Sequence, residues 1–181
     1  MSGINLFVTH RMAEQKKLRI GWFSFTCCED STVIFTELMN DHYMVWKHVL
    51  DIRNARVLQT KNYMDQMDVA FVEGAIVAPE QEEKLLEIRK LATKVVAIGA
   101  CAVTGMPSAQ RNTFDEEQQG KIDFILDKFH YGEKVKRLDE VITVDAVVPG
   151  CPMVEEAFLK VVNDALVEFN IPVPEVKLEM K

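Results

Sequence analysis

Short apolar runs alternate with amphipathic stretches along most of this chain, and that alternation limits its folds more than any other feature. Leu18–Phe23, Ala55–Leu58, Asp68–Val72, Val95–Ile98 and Ile142–Val148 have the length and apolar content of strands. Helical patterns lie between them. One starts at Asp30 or Ser31, either able to cap it, and runs to about Trp46 with Val33, Ile34, Leu38 and Val45 inward. A second, Glu80–Lys90, follows Pro79 and carries acids early and bases late, as the helix dipole favours. A closing helix, Glu155–Phe169, turns Phe158, Leu159, Val162 and Leu166 inward. Such a rhythm gives an open, parallel α/β sheet with helices on both faces. From Pro107 to Glu140 the pattern weakens, and a short helix is expected around Ile122–Phe129.

A length of 181 residues with 48% apolar content suits a single domain able to bury its own core. That domain is expected over 18–170, with an N-terminal extension at 1–17. Pro172 and Pro174 end the last helix, leaving 171–181 as an extended, exposed tail. The net charge is −7 and the pI about 5.2. Its basic clusters, Lys16-Lys17-Leu18-Arg19 and Lys134-Val135-Lys136-Arg137, are short and diluted by acid, so no nucleic-acid partner is expected. No apolar stretch approaches the ~20 residues of a membrane span, and no secretory signal is evident, so a cytoplasmic protein without a direct membrane span is expected.

The chain has four cysteines, and they follow three of the strands: Cys27 and Cys28 the first, Cys101 the fourth and Cys151 the fifth. Loops at the carboxyl edge of a parallel sheet lie close in space, so all four sulfurs can converge on one object. In a reducing compartment metal binding or redox chemistry is favoured over disulfides. One iron-sulfur cluster fits four thiolates held by sharply bending backbone, which Gly99-Ala100-Cys101-Ala102 and Pro149-Gly150-Cys151-Pro152 can supply. Against it stand four scattered core cysteines and a closed zinc site, although zinc usually draws on paired C-x-x-C knuckles and this chain has none. That lack also removes a thioredoxin-like motif. No glycine-rich phosphate loop is present, so a nucleotide or flavin on this chain is disfavoured.

Thr26-Cys27-Cys28-Glu29, Phe71-Val72-Glu73-Gly74, Ile98-Gly99-Ala100-Cys101-Ala102 and Val148-Pro149-Gly150-Cys151-Pro152, in that order, resemble the cluster domain of nickel-iron hydrogenase small subunits and of the homologous complex I subunit. The resemblance runs from about Leu18 to Phe169. It implies a flavodoxin-like fold holding one proximal [4Fe-4S] cluster on Cys27, Cys28, Cys101 and Cys151 against a larger catalytic subunit. Hydrogenases of this type have Cys-x-x-Cys in the first loop, whereas Phe25 stands at its first position here; an adjacent pair resembles the complex I subunit instead. Ala100-Cys101-Ala102-Val103-Thr104-Gly105 and the Glu-rich helix after Val77 are closer to delta-type small subunits of soluble hydrogenases.

The function this implies is electron transfer in a cytosolic nickel-iron hydrogenase. The nickel-iron centre belongs to the partner large subunit, since the four cysteines here are committed. No cysteine follows Cys151, so the electron passes to a further electron-transfer or flavin-containing subunit. A complex I-like subunit serving a quinone, and a non-redox scaffold, are the competing readings. Glu73, on the thiol edge, is the candidate for proton relay or cluster tuning, against a loop acid that bonds backbone N–H groups around Gly74. Helix capping accounts for Glu29 and Asp30. His42, His48, Asp41 and Asp51 do not form a convincing metal face. Met106 and Met153, with Trp22, Phe23 and Phe25, would pack the site or shield it from water.

Overall fold

Every residue of Met67–Glu73 is buried, which makes this strand, β3, the middle of the sheet. It lies between β1 (Leu18–Ser24) and β4 (Ala92–Ile98), with β2 (Leu50–Ala55) and β5 (Ala146–Val148) outside them. All pairings are parallel and the order is β2-β1-β3-β4-β5. This is the expected flavodoxin-like arrangement, a single α/β domain whose binding crevice lies beyond the carboxyl ends where strand order reverses. The computed structural model describes residues 16–173, so the expected extension before Lys16 and tail beyond Val173 lie outside the described residues. No described helix is long and apolar enough to cross a membrane.

Burial on both faces explains the unbroken apolar runs of β3 and β4. On one face Trp22 and Phe71 meet α1 (Asp30–Asp41), α2 (Tyr43–Val49) and α6 (Glu155–Glu168). Trp22 stacks on Phe35 at 4.3 Å, and Phe158 of α6 stands edge-on to Trp22 at 5.9 Å and tilted against Phe71 at 5.2 Å. On the other face Phe23, Val72 and Val95 share a core with Leu85 and Ile88 of α3 (Pro79–Leu91) and Ala102 of α4 (Gly99–Thr104). The buried carboxylate Asp68, early in β3, is held by the Arg19 backbone N–H at 2.8 Å and its guanidinium at 2.7 Å.

Several expected boundaries move. The second strand is Leu50–Ala55, not Ala55–Leu58. It is an edge strand, where Asp51 and Arg53 are only partly buried, and the Ala55 carbonyl accepts from Leu58 and Gln59 to close a turn that exposes Val57 and Leu58. The first helix breaks at His42 into α1 and α2; Phe35, Leu38 and Trp46 carry the burial while Val33 is exposed. Its N-cap is Glu29 in left-handed backbone, and neither Asp30 nor Ser31 caps it. The fifth strand shrinks to three residues because Asp145 bonds Val95 through its side chain, taking the N–H at 2.7 Å, and a 3-10 turn at Leu138–Glu140 precedes it. The helix of the weak segment, α5 (Glu116–Lys128), starts earlier than expected, where Asp115 and Gln118 form a capping box. Ile171, expected in the exposed tail, is buried in the main core.

Candidate metal centre

One row of register crosses four strands. Ser24 of β1 lies opposite Glu73 of β3, Glu73 opposite Ile98 of β4, and Ile98 opposite Val148 of β5. Cys27, Cys101 and Cys151 each stand three residues past that row, with Cys28 next to Cys27. The convergence expected of the four cysteines is therefore a consequence of strand register. All four, with Glu73, line one small, open hollow. Cys101 is buried, Cys27 half-buried, and Cys28 and Cys151 are exposed at the rim.

Main-chain bonds join the loops to one another. Thr26 and Ala75 exchange N–H···O bonds of 3.1 and 2.9 Å, and the Ala100 N–H donates to the Gly150 carbonyl at 2.7 Å. Two glycines make this close approach possible. Gly74 has φ +94°, and a Cβ there would sit 2.7 Å from the Phe25 carbonyl carbon; Gly150 has φ +115°, with Pro152 O 2.4 Å from the same imagined atom. Ser31 is buried and its Oγ accepts the Met153 N–H at 3.2 Å, so the residue expected as a helix cap instead fixes the Cys151 loop.

Glu73 is only 3% exposed. Its Oε1 accepts from Ser24 Oγ at 2.7 Å and from Thr32 Oγ1, and Thr32 Oγ1 in turn accepts from Trp22 Nε1 at 2.8 Å. Its partners are hydroxyls, not the backbone N–H groups of Gly74. Burial raises its pKa, with the Thr32 and Ser24 bonds opposing. Sequence reasoning does not single out Ser24, Ser31 or Thr32 as site residues. Their signal is a hydroxyl cluster next to the cysteine pair, which helix capping would equally explain.

Burial pushes the Cys27 thiol up to about 12, aided by the Glu73 charge. Cys101 is raised by burial and then by Cys28 and Cys151, as expected of thiols facing one another. Among the described residues, no three His, Cys, Asp or Glu side chains gather around a single metal-ion position. The four cysteines instead line the hollow. As a donor set, four thiols on stitched loops fit a thiolate-bound polynuclear group better than one ion at a Zn–S distance of about 2.3 Å. Met153 and Trp22 pack in the core, Phe23 in the opposite core, and Met106 is exposed. His42 stacks on Trp46 at 5.0 Å.

Fold and site together define a flavodoxin-like domain with a thiol-lined crevice at the carboxyl edge of its sheet. Residues 27–165, a span that includes all four cysteines, match the NADH ubiquinone oxidoreductase, 20 kDa subunit, family. The chain belongs to that family of oxidoreductase subunits. It is 32% identical over 184 residues to a subunit of the F420-non-reducing hydrogenase of Methanothermobacter thermautotrophicus, covering 92% of this chain and 58% of the relative. The chain thus spans little more than half of that relative. It is 24% identical over 164 residues to the delta subunit of the NAD-reducing hydrogenase HoxS of Cupriavidus necator, covering 82% of this chain and 78% of the other. A chain of an NAD+-reducing [NiFe]-hydrogenase in the H2-reduced state superposes with a TM-score of 0.73 at 24% identity, over 92% of this chain and all of that one, and so shares the fold.

Proposed function

We propose that this chain is the electron-transfer small subunit of a cytoplasmic nickel-iron hydrogenase, holding one [4Fe-4S] cluster on Cys27, Cys28, Cys101 and Cys151. The observation that carries the reading is the register row, which sets four cysteines from two loops and the start of α4 around one hollow. A cluster held there supplies one-electron exchange. The residues of this chain do the rest. The four thiols lose their protons on binding, and Gly150 and Gly74 keep the loops close enough to enclose the group. Glu73 Oε1 is occupied by two hydroxyl donors, so a proton taken up by this carboxyl resides on Oε2. There Glu73 relays protons or tunes the cluster potential. All four cysteines line this hollow, so we assign the nickel-iron centre to a large catalytic subunit, with a further electron-transfer or flavin-containing subunit as the exit.

The complex I-like reading, with a quinone or other carrier as acceptor, draws on the adjacent Cys27–Cys28 pair. Iron and acid-labile sulfide per chain, measured on protein isolated without oxygen, test both, with about four of each expected. Nickel in the co-purifying partner selects the hydrogenase reading. Replacing any one of the four cysteines by Ser is expected to remove most of the iron and abolish electron flow. A colourless protein with neither iron nor sulfide would leave only a scaffold.

A further inference from the structure

Ser24, Thr32 and Ser31 all stand beside the cysteine hollow, but they use their hydroxyl protons differently. Ser24 and Thr32 both donate to Glu73 Oε1, and Thr32 Oγ1 also accepts the Trp22 indole N–H at 2.8 Å. Those two protons are committed. Ser31 Oγ accepts the Met153 N–H at 3.2 Å, which occupies a lone pair and leaves its O–H free to donate. Among the described residues nothing takes that proton. Ser31 makes no bond to a carbonyl of its own chain segment, as Thr36 does to Val33 at 2.7 Å, and none to a cysteine sulfur. At 6% exposure the residue is also largely closed to solvent, where an unmade hydrogen bond is costly.

The free donor lies where a bound group would meet it. Ser31 lines the hollow together with all four cysteines. It belongs to the first turn of α1, three residues past Cys28, and reaches both of the other cysteine segments. The Met153 bond ties it to the Cys151 loop. Gly99 gives it room at the start of α4, because a Cβ there would lie 3.0 Å from Ser31 Oγ. The Met153 N–H therefore holds the oxygen in one place while the proton remains to be given away.

We infer that Ser31 donates its hydroxyl proton to a bridging sulfide of the cluster and so raises the cluster's reduction potential. The inference rests on the electron-transfer reading. Since Ser31 bonds no cysteine sulfur, the acceptor belongs to the inorganic part of the group that fills the hollow. A donor there offsets the negative charge that reduction adds, so it favours the reduced form over the oxidised one.

The test uses the full chain reconstituted without oxygen with iron and isotopically labelled sulfide, so that resonance Raman separates bridging-sulfide bands from cysteine bands. In the parent, heavy water should shift the bridging bands; Ser31→Ala should lose part of that shift, and Ser31→Thr, which keeps the hydroxyl, should retain it. A redox titration followed by electron paramagnetic resonance reads only the loaded fraction, so partial iron loss does not blur it. Ser31→Ala should lower the one-electron reduction equilibrium constant about tenfold, ~59 mV, with recovery in Ser31→Thr. If Ser31 served only to tie Met153, Ser31→Ala would lower the urea midpoint and leave both the deuterium shift and the potential at parental values, which overturns the inference. A deuterium shift confined to the cysteine bands overturns it as well. A parent that takes up neither iron nor sulfide would instead be a failure of the electron-transfer reading.

Discussion

Gly150→Ala is the most direct test of the claim that backbone shape, and not the thiols alone, makes the site. Gly150 has φ +115°, and an added Cβ would lie 2.4 Å from Pro152 O and 3.0 Å from Val154 N. Both are main-chain atoms, so no rotamer change relieves the contact and the loop itself must move. Movement threatens the 2.7 Å bond from Ala100 N–H to the Gly150 carbonyl and the 2.8 Å bond from Val154 N–H to Pro149. Backbone strain of about 1–3 kcal/mol plus about 1 kcal/mol for a lost hydrogen bond gives a destabilisation of about 2–4 kcal/mol. A domain with a typical stability of about 5–15 kcal/mol survives that, but with Cys151 displaced. Gly120→Ala is the control: nothing lies within 4 Å of its imagined Cβ, so inside α5 it should gain about 0.5–1 kcal/mol. Urea unfolding under anaerobic, reducing conditions, followed by iron analysis after reconstitution, reads both effects. The expected result is a lowered midpoint and little iron for Gly150→Ala, and a raised midpoint with full iron for Gly120→Ala. A Gly150→Ala protein with the parental midpoint and full iron content would refute the reasoning.

Phe158→Ala should cost about 3–5 kcal/mol, because Phe158 is 1% exposed and contacts four aromatic rings, whereas Phe158→Leu should cost clearly less; equal urea midpoints for the two would contradict this packing account. Burial opposes ionisation of Asp145, but the Val95 N–H and the Arg89 guanidinium outweigh it and hold its pKa low. A carboxyl with a depressed folded pKa contributes stability that is present above the unfolded value and lost as pH falls through the folded one. Arg89→Ala should therefore unfold at a higher pH than the parent in an acid titration followed by circular dichroism, and coincident acid midpoints would remove the Arg89 contribution. Thr32→Val deletes a donor to Glu73 and should drive that already raised pKa further up. Here the sign reverses: stability is greatest below the unfolded carboxyl value, near pH 4, and is lost as pH rises toward the folded pKa. Urea midpoints at about pH 5 and pH 8 should separate from the parent more at the higher pH, and parallel profiles would count against a charged Glu73.

Much of this architecture is written in the order of residues, because period and burial are local properties. Val69 to Val72 and Val95 to Ile98 read as central strands since both their faces are covered, and the cysteines follow strand ends that sequence can mark. What sequence missed depends on partners far along the chain. Leu50–Ala55 carries Asp51 and Arg53, which stay partly exposed at the sheet edge, and nothing local tells an edge from a centre. Asp145 replaces a strand bond with a side-chain bond to Val95, which shortens β5. Ser31 and Thr32 have the composition of a helix cap, but Met153 and Glu73, brought by β5 and β3, recruit their hydroxyls instead. The helix expected around Ile122–Phe129 is present as α5 but starts at Glu116, because its first turn is polar and is fixed by the Asp115–Gln118 capping box and not by an apolar inner face.

The register row explains why Glu73 and the thiols are held in different ways. Glu73 is the last residue of the most buried strand, bonded on both sides by its sheet neighbours, so its position is fixed by the whole core. The cysteines lie three or four residues beyond the strand ends, Cys101 in the first turn of α4 and the others on loops whose placement depends on a few bonds and glycines. The carboxyl is thus a rigid reference and the thiols an adjustable ring. Perturbing a core residue such as Phe158 should lower stability with little loss of iron, while perturbing Gly150 should lower stability and iron content together. Comparing iron content at matched stability in these two variants separates the loop contribution from that of the sheet.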